Sequence, residues 1–157
     1  MYMTKSWASI DGHGTLLYHI WKTNINQETY VQMLKDKFKQ VSMRYRYYQQ
    51  DGASVHFAKS VRSYLDEWMP NRWIGRGSPF LPWPAKSPDL NPCDFYLWGR
   101  IYGLLSSNRP SSKDELIHAL EDLSKELNAS EVSRACMATN DRCNEVIQNE
   151  GKRIKAR

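Results

Sequence analysis

The sequence predicts an α/β fold. Three observations carry this. Two apolar-aromatic segments flank a Gly-His-Gly turn near the N-terminus. Two amphipathic helical stretches then enclose a short Tyr-rich strand, and the C-terminal third is helical with capping residues at its start. The order strand, strand, helix, strand, helix, then a turn-rich segment and helices, fits a mixed sheet flanked by helices with a helical C-terminal region.

Each element has its own signal. K-S-W-A-S-I-D (5–11) alternates, with Trp7 and Ile10 as candidate apolar positions, and T-L-L-Y-H-I-W (15–21) is a second strand, so the pair reads as a hairpin about residues 12–14. Asn26 can cap the helix that follows, in which Ile25, Tyr30, Val31, Leu34 and Phe38 fall near helical spacing. R-Y-R-Y-Y-Q-Q (44–50) reads as a short strand ending at Asp51-Gly52. S-V-H-F-A-K-S-V-R-S-Y-L-D-E-W-M predicts an amphipathic helix with Val55, Ala58, Val61, Tyr64, Leu65 and Trp68 on its apolar face.

Pro70 to Pro92 holds six of the seven prolines, which excludes a long helix. Trp73, Phe80 and Trp83 make it too aromatic for a loose linker, so it reads as an ordered connection with a short strand near 72–74 or 80–83. Asn91 and Pro92 then suit the N-cap and first position of a helix that carries Asp94 in its first turn. Ser112 and Glu115 form a capping-box pattern, and a last helix is expected from about Ala129 to Glu150. We expect 1–110 to form a partial α/β core and 111–157 a helical region of the same domain.

The chain has 157 residues and is 41% hydrophobic and 12% aromatic, enough for a packed core rather than a disordered segment. Mean hydropathy is −0.68, and no apolar run approaches the roughly 20 residues of a membrane helix. Without a signal-peptide pattern at residues 1–12, an intracellular protein is expected. The net charge of +5 favours a polyanionic partner such as nucleic acid. Cys93, Cys136 and Cys143 have neither C-x-x-C spacing nor an even count, which argues against a disulfide framework or zinc site. No nucleophile elbow supports a serine or cysteine hydrolase, and without a P-loop or G-x-G-x-x-G no small-molecule cofactor is expected.

Two acids stand at positions that chemistry uses. Asp51 ends a strand, and Asp94 opens a helix. Carboxylates converging from two such fixed points can hold Mg²⁺ through oxygen. An aspartate before glycine is equally a common turn residue, and one in a helix's first turn equally answers the helix dipole. Asp89, in S-P-D-L-N-P, reads as a turn or cap residue. His56 could touch a phosphate or orient the loop, or be an ordinary helix histidine. His13, His19 and His118 show no clustering.

The motifs Q-D-G-A-x-x-H-F-A, R-W-I-G-R-G, W-P-x-x-S-P-D-L-N-P and D-F-Y-L-W-G occur in that order, preceded by W-A-S-I-D-G and I-N-Q-E-T-Y-V-Q-M-L. From about Trp7 to Gly103 the sequence resembles the catalytic domain of mariner-like DDE/D transposases. The resemblance implies an RNase H-like fold, a DNA partner, a nuclear location, and Mg²⁺- or Mn²⁺-dependent DNA strand cleavage and joining. It assigns the second catalytic aspartate and metal ligand to Asp51 and the third to Asp94, with His56 as a possible DNA or loop contact. Family members generally work as dimers, which implies a homodimer partner. The family's first aspartate belongs to a strand upstream of W-A-S-I, and its helix-turn-helix region lies further upstream. The expectation is therefore an N-terminally truncated core, lacking the first strand and its acid and catalytically incomplete by itself. Asp11, the only acid before Glu28, falls in the hairpin turn. The alternative expectation is a non-catalytic nucleic-acid-binding or protein-interaction module of transposon origin.

Overall fold

The computed structural model describes residues 5–21, 23–41, 46–84, 87–107, 110–152 and 154. The chain forms two compact units, one made of Met1–Lys22 with Ser87–Arg157 and the other of Thr23–Lys86. Among the described residues no helix is long and apolar enough to cross a membrane.

The first unit begins with an antiparallel hairpin, β1 (Ser6–Ile10) and β2 (Leu16–Ile20), in the register Trp7 opposite His19 and Ile10 opposite Leu16. Asp11 organises its turn: Oδ1 accepts the backbone N–H groups of His13 at 2.8 Å and Thr15 at 3.0 Å. Strand alternation divides the side chains between two faces. Ala8, Ile10, Leu16, Tyr18 and Ile20 pack against the buried cluster Leu97, Ile101, Leu120 and Leu123. Those four come from a turn-rich entry and two helices, α3 (Trp98–Ser107) and α4 (Lys113–Glu126). Trp7, one of the two expected apolar positions, lies on the opposite face and is also buried.

Helix α4 starts as its capping pattern predicts, with a variation. Ser112 Oγ accepts the Glu115 N–H at 3.2 Å, but the Glu115 carboxylate reaches back to Ser111. Helix α5 (Ala129–Gln148) is capped by Asn128, whose Oδ1 accepts the Ser130 N–H at 2.9 Å. It ends where Glu150 and Gly151 adopt φ of 56° and 78°. The hairpin turn docks on the start of α5. Ser133 Oγ donates to the Gly12 carbonyl at 2.7 Å, and Gly14 has φ of 84°.

The second unit holds α1 (Gln27–Phe38), β3 (Tyr48–Gln49), α2 (Lys59–Trp68), β4 (Trp73–Gly75) and β5 (Leu81–Pro82). Its sheet is parallel, in the order β3-β4-β5. Asn26 and Thr29 form a reciprocal cap at α1, each side chain accepting the other's backbone N–H, at 2.9 and 3.0 Å. Tyr30, Met33, Leu34 and Phe38 of α1 are buried, with Val61 and Leu65 of α2, Met69 and Trp73. Val31 is only half-buried, and Met33 takes the interior position instead. Arg44 and Tyr45 of the predicted strand lie outside the described residues, and the paired strand is two residues long.

Two expectations for α2 are corrected. The helix starts at Lys59, because residues 53–58 make successive i to i+3 turns, His56 N–H to Ala53 O and Phe57 N–H to Ser54 O. Trp68 is 48% exposed and stacks on Tyr64 rather than entering the core. The sequence suggests one short strand in the proline-rich segment, near 72–74 or 80–83, and the structure forms a strand at both places, as β4 and β5.

Replacing Gly14 by alanine would place a Cβ 2.5 Å from the Ala129 Cβ, at a backbone conformation L-residues seldom adopt. Urea denaturation of Gly14→Ala is expected to show a loss of about 1–3 kcal/mol. A second expectation concerns alkaline pH. Burial, aided by the Asp11 carboxylate, pushes the Cys136 thiol from 9.0 up to about 11. The folded state therefore keeps this proton after the unfolded chain has lost it. That contribution to stability is full below about pH 8.5 and is lost as pH rises toward about 11. Thermal melts should show a shallower alkaline decline for Cys136→Ala than for the unsubstituted chain.

Candidate active site

The carboxyl edge of the parallel sheet in the second unit carries the most developed polar arrangement in that unit. β3 is tied to β4 by the Gln50 N–H, which donates to the Ile74 carbonyl at 2.9 Å. Asp51 leaves the sheet at the next position. Its Oδ1 accepts the Ala53 N–H at 3.0 Å, closing a tight turn over Gly52, and stands 2.6 Å from His56 Nδ1. That contact places a proton on Nδ1 of the imidazole. The same nitrogen lies 3.4 Å from the Asp51 carbonyl oxygen, a secondary contact. Among the described residues Oδ2 has no partner, and the Asp51 side chain is 48% exposed while His56 is 14% exposed.

The electrostatics follow from this geometry. The hydrogen bond from His56 holds the Asp51 carboxyl below the usual carboxylate range, against partial desolvation and with help from the Ala53 N–H. Asp51 is thus an anion with one oxygen fixed and the other available.

His56 is itself held from below. Gln50 is buried; its Nε2 donates to the His56 carbonyl at 3.1 Å, and its Oε1 accepts the Tyr30 hydroxyl at 3.3 Å. The Tyr30 and Tyr48 hydroxyls are 3.2 Å apart, and the Tyr30 ring lies against the imidazole with centroids 4.6 Å apart. Gly75 makes room for this network, because a Cβ there would stand 3.0 Å from Gln50 Cγ. The family resemblance assigns roles to Asp51 and His56 but none to Gln50 or Tyr30. The one local signal for Gln50 is a glutamine directly before the acid, at a strand position that must face the interior.

Asp94 belongs to the first unit. The sequence predicts an α-helical first turn; the structure instead has a wide π turn, Cys93–Leu97, leading into α3. Such turns occur often at functional sites. Asn91 caps it as expected: Oδ1 accepts the Cys93 N–H at 3.1 Å, and Nδ2 donates to Asp94 Oδ2 at 2.8 Å. Cys93 Sγ lies 3.7 Å from the Ala8 carbonyl of β1, and Arg142 of α5 covers Phe95 at 3.9 Å and donates to the Asp89 carbonyl at 3.2 Å. The turn is therefore anchored from two sides, and Asp94 is exposed upon it. Asp89 sits in the 3₁₀ turn Pro88–Leu90, in keeping with a turn role.

His13 and His118 are exposed, and His19 packs edge-on against Trp21. Among the described residues no group of three His, Cys, Asp or Glu side chains is arranged to hold a metal ion. The structure brings Asp51 and His56 together and presents Asp94 separately, in the other unit.

Comparison with known proteins extends this picture. No protein-family model matches the chain. The Tc1 transposase of Caenorhabditis elegans is 32% identical over 108 residues, covering 69% of this chain and 36% of the relative. The Tc3 transposase of the same organism is 28% identical over 109 residues, covering 68% of this chain and 30% of the relative. The chain spans about a third of the length of these curated relatives. Among solved structures, the catalytic domain of Mos1 mariner transposase superposes with a TM-score of 0.80 at 22% identity, over 97% of this chain and 76% of that one. The same Mos1 domain has been solved with Raltegravir and Mn or Mg. A Mos1 strand transfer complex superposes with a TM-score of 0.82 at 23% identity, over 97% of this chain and 44% of that one. The chain is homologous to the Tc1, Tc3 and Tcb2 transposases and has the fold of the Mos1 mariner transposase catalytic domain.

Proposed function

We propose that this chain is a transposase-derived domain for metal-dependent DNA strand cleavage and joining, in which Asp51 and Asp94 are metal ligands. One observation carries the reading. In a chain homologous to transposases, Asp51 stands at the carboxyl end of a parallel strand with one carboxylate oxygen fixed by His56 and the other open. The donor set is all oxygen, which suits Mg²⁺ or Mn²⁺. When bound, such ions stabilise both the attacking and the leaving oxygen of a phosphodiester.

The chain's own residues supply position and charge. His56 sets the direction of the Asp51 carboxylate and keeps it ionised. Asn91 orients Asp94. Two aspartates offset half the charge of two divalent ions, so a third carboxylate belongs to the reaction. The 157 residues contain no match for the family's first acid, and Asp11 is engaged in its turn. The reading is therefore of a catalytically incomplete stretch, acting on DNA in the nucleus and in the family's dimeric manner. The net charge of +5 supports the DNA partner. A second reading, a non-catalytic DNA-binding or interaction module of transposon origin, is favoured by the lack of a three-ligand cluster among the described residues.

Metal binding can be measured by Mn²⁺ relaxation of amide resonances. Broadening is expected around Gly52 and Ala53, to be lost in Asp51→Asn. Equal broadening in that variant removes Asp51 from the ligand set. His56→Ala, which leaves the acid but frees it, is expected to weaken Mn²⁺ binding about 10–100-fold. With terminal-repeat DNA and Mn²⁺, the 157 residues are expected to cleave little or not at all. Robust cleavage abolished by Asp51→Ala would show that the two acids suffice.

A further inference from the structure

The second unit also holds two cations that lack an acidic partner among the described residues. Arg62 projects from α2 and Arg76 from the loop after β4. Their guanidinium carbons lie 4.7 and 4.2 Å from the centroid of a single ring, that of Phe57. Arg62 Nε donates to the Phe57 carbonyl at 3.2 Å. Among the described residues neither guanidinium meets an Asp or Glu carboxylate.

This arrangement is built into the backbone. Gly77 has φ of 78°, and a Cβ there would stand 2.9 Å from Phe57 Cε2 and 3.0 Å from Arg62 Cδ. Glycine is what lets the loop carrying Arg76 close on Phe57. Ser78, buried, then fixes the loop. Its Oγ donates to the Trp73 carbonyl at 2.7 Å and accepts the N–H groups of Phe80 at 3.1 Å and Leu81 at 3.2 Å. Two like charges gathered on one ring repel each other, and an anion shared between them relieves that repulsion. Guanidinium forks match the paired oxygens of a phosphate, and stacking on an aromatic face orients them in advance.

The location narrows the ligand. The register that pairs Gln49 with Ile74, carried two places further, sets Asp51 and Arg76 at the same edge of the sheet. Phe57 directly follows His56, which holds Asp51. We propose that Arg62 and Arg76, stacked on Phe57, form a phosphate site for a nucleic-acid backbone, so that a strand held there passes the open oxygen of Asp51. The choice of nucleic acid as ligand rests on the DNA reading above; the paired-cation site does not.

The test is nucleic-acid binding by the 157-residue chain across a salt series, using a short duplex and a single strand. Arg62→Gln and Arg76→Gln are each expected to reduce the slope of log affinity against log salt by about 0.9 for duplex and about 0.7 for single strand. Lys125→Gln, in the other unit, should leave the slope unchanged. Phe57→Leu retains every charge and should weaken binding at an unchanged slope. Arg76→Lys, which keeps the charge without the fork, serves if a glutamine variant loses its native circular dichroism; it should bind more weakly at nearly the original slope. If the chain binds DNA and the double glutamine variant matches it in affinity and slope, the site is wrong while the DNA reading stands. If the chain binds neither nucleic acid, the DNA reading fails. Inorganic phosphate then decides the site: shifts of the Arg62 and Arg76 Nε–H resonances uphold it, and their absence overturns it.

Discussion

An imidazole reaching back five residues separates Asp51 from an ordinary turn aspartate. The 2.6 Å contact from His56 Nδ1 to Asp51 Oδ1 requires the chain to delay its helix, so that residues 53–58 turn tightly before α2 begins. That detour exposes backbone groups that a helix would have satisfied internally. Gln50 compensates for part of this by donating to the His56 carbonyl, and Tyr30 compensates for burying Gln50. Gly75 supplies the space. Residues from α1, β3, β4 and the loop thus converge to fix the direction of one carboxylate.

The two candidate acids are presented by different physical means. Asp51 is held by a histidine and a backbone amide, so its geometry is coupled to a buried polar network. Asp94 stands on a π turn whose anchoring comes from Cys93 and Phe95 to either side of it, and its near neighbour is the neutral amide of Asn91. One carboxylate is oriented by an imidazole and a backbone amide, and the other by the side-chain amide of the residue that caps its turn.

Much of this is legible in the sequence where the determining forces are local. The hairpin, the Asn26 cap and the starts of α4 and α5 follow from alternation and capping chemistry within a few residues. The start of α2 is not legible in this way. Residues 54–58 keep apolar spacing, while the Asp51 cap that diverts them acts through hydrogen bonds that periodicity does not register. The π turn is hidden for a related reason, since one added residue per turn hardly changes an apolar pattern over five residues. Spacing alone directs Trp68 inward, yet it remains exposed and stacks on the half-buried Tyr64. At the site, motif resemblance singles out Asp51, Asp94 and His56. The roles of Gln50, Tyr30 and the pair of arginines on Phe57 arise from contacts between segments distant in sequence, so the motifs that contain some of these residues do not reveal what they do.

The division of the chain into units has a consequence for synthesis. The second unit is one continuous stretch, whereas the first is assembled from both ends of the chain. As the polypeptide emerges, the second unit has all of its residues before α3 or α4 exists. The hairpin must meanwhile wait with Ala8, Ile10, Leu16, Tyr18 and Ile20 uncovered, because the residues that bury them come much later. During that interval an apolar two-stranded ribbon is open to pairing with a neighbouring chain. The polar Asp11 turn, which closes the ribbon early, and the brevity of its strands limit how far such pairing can spread.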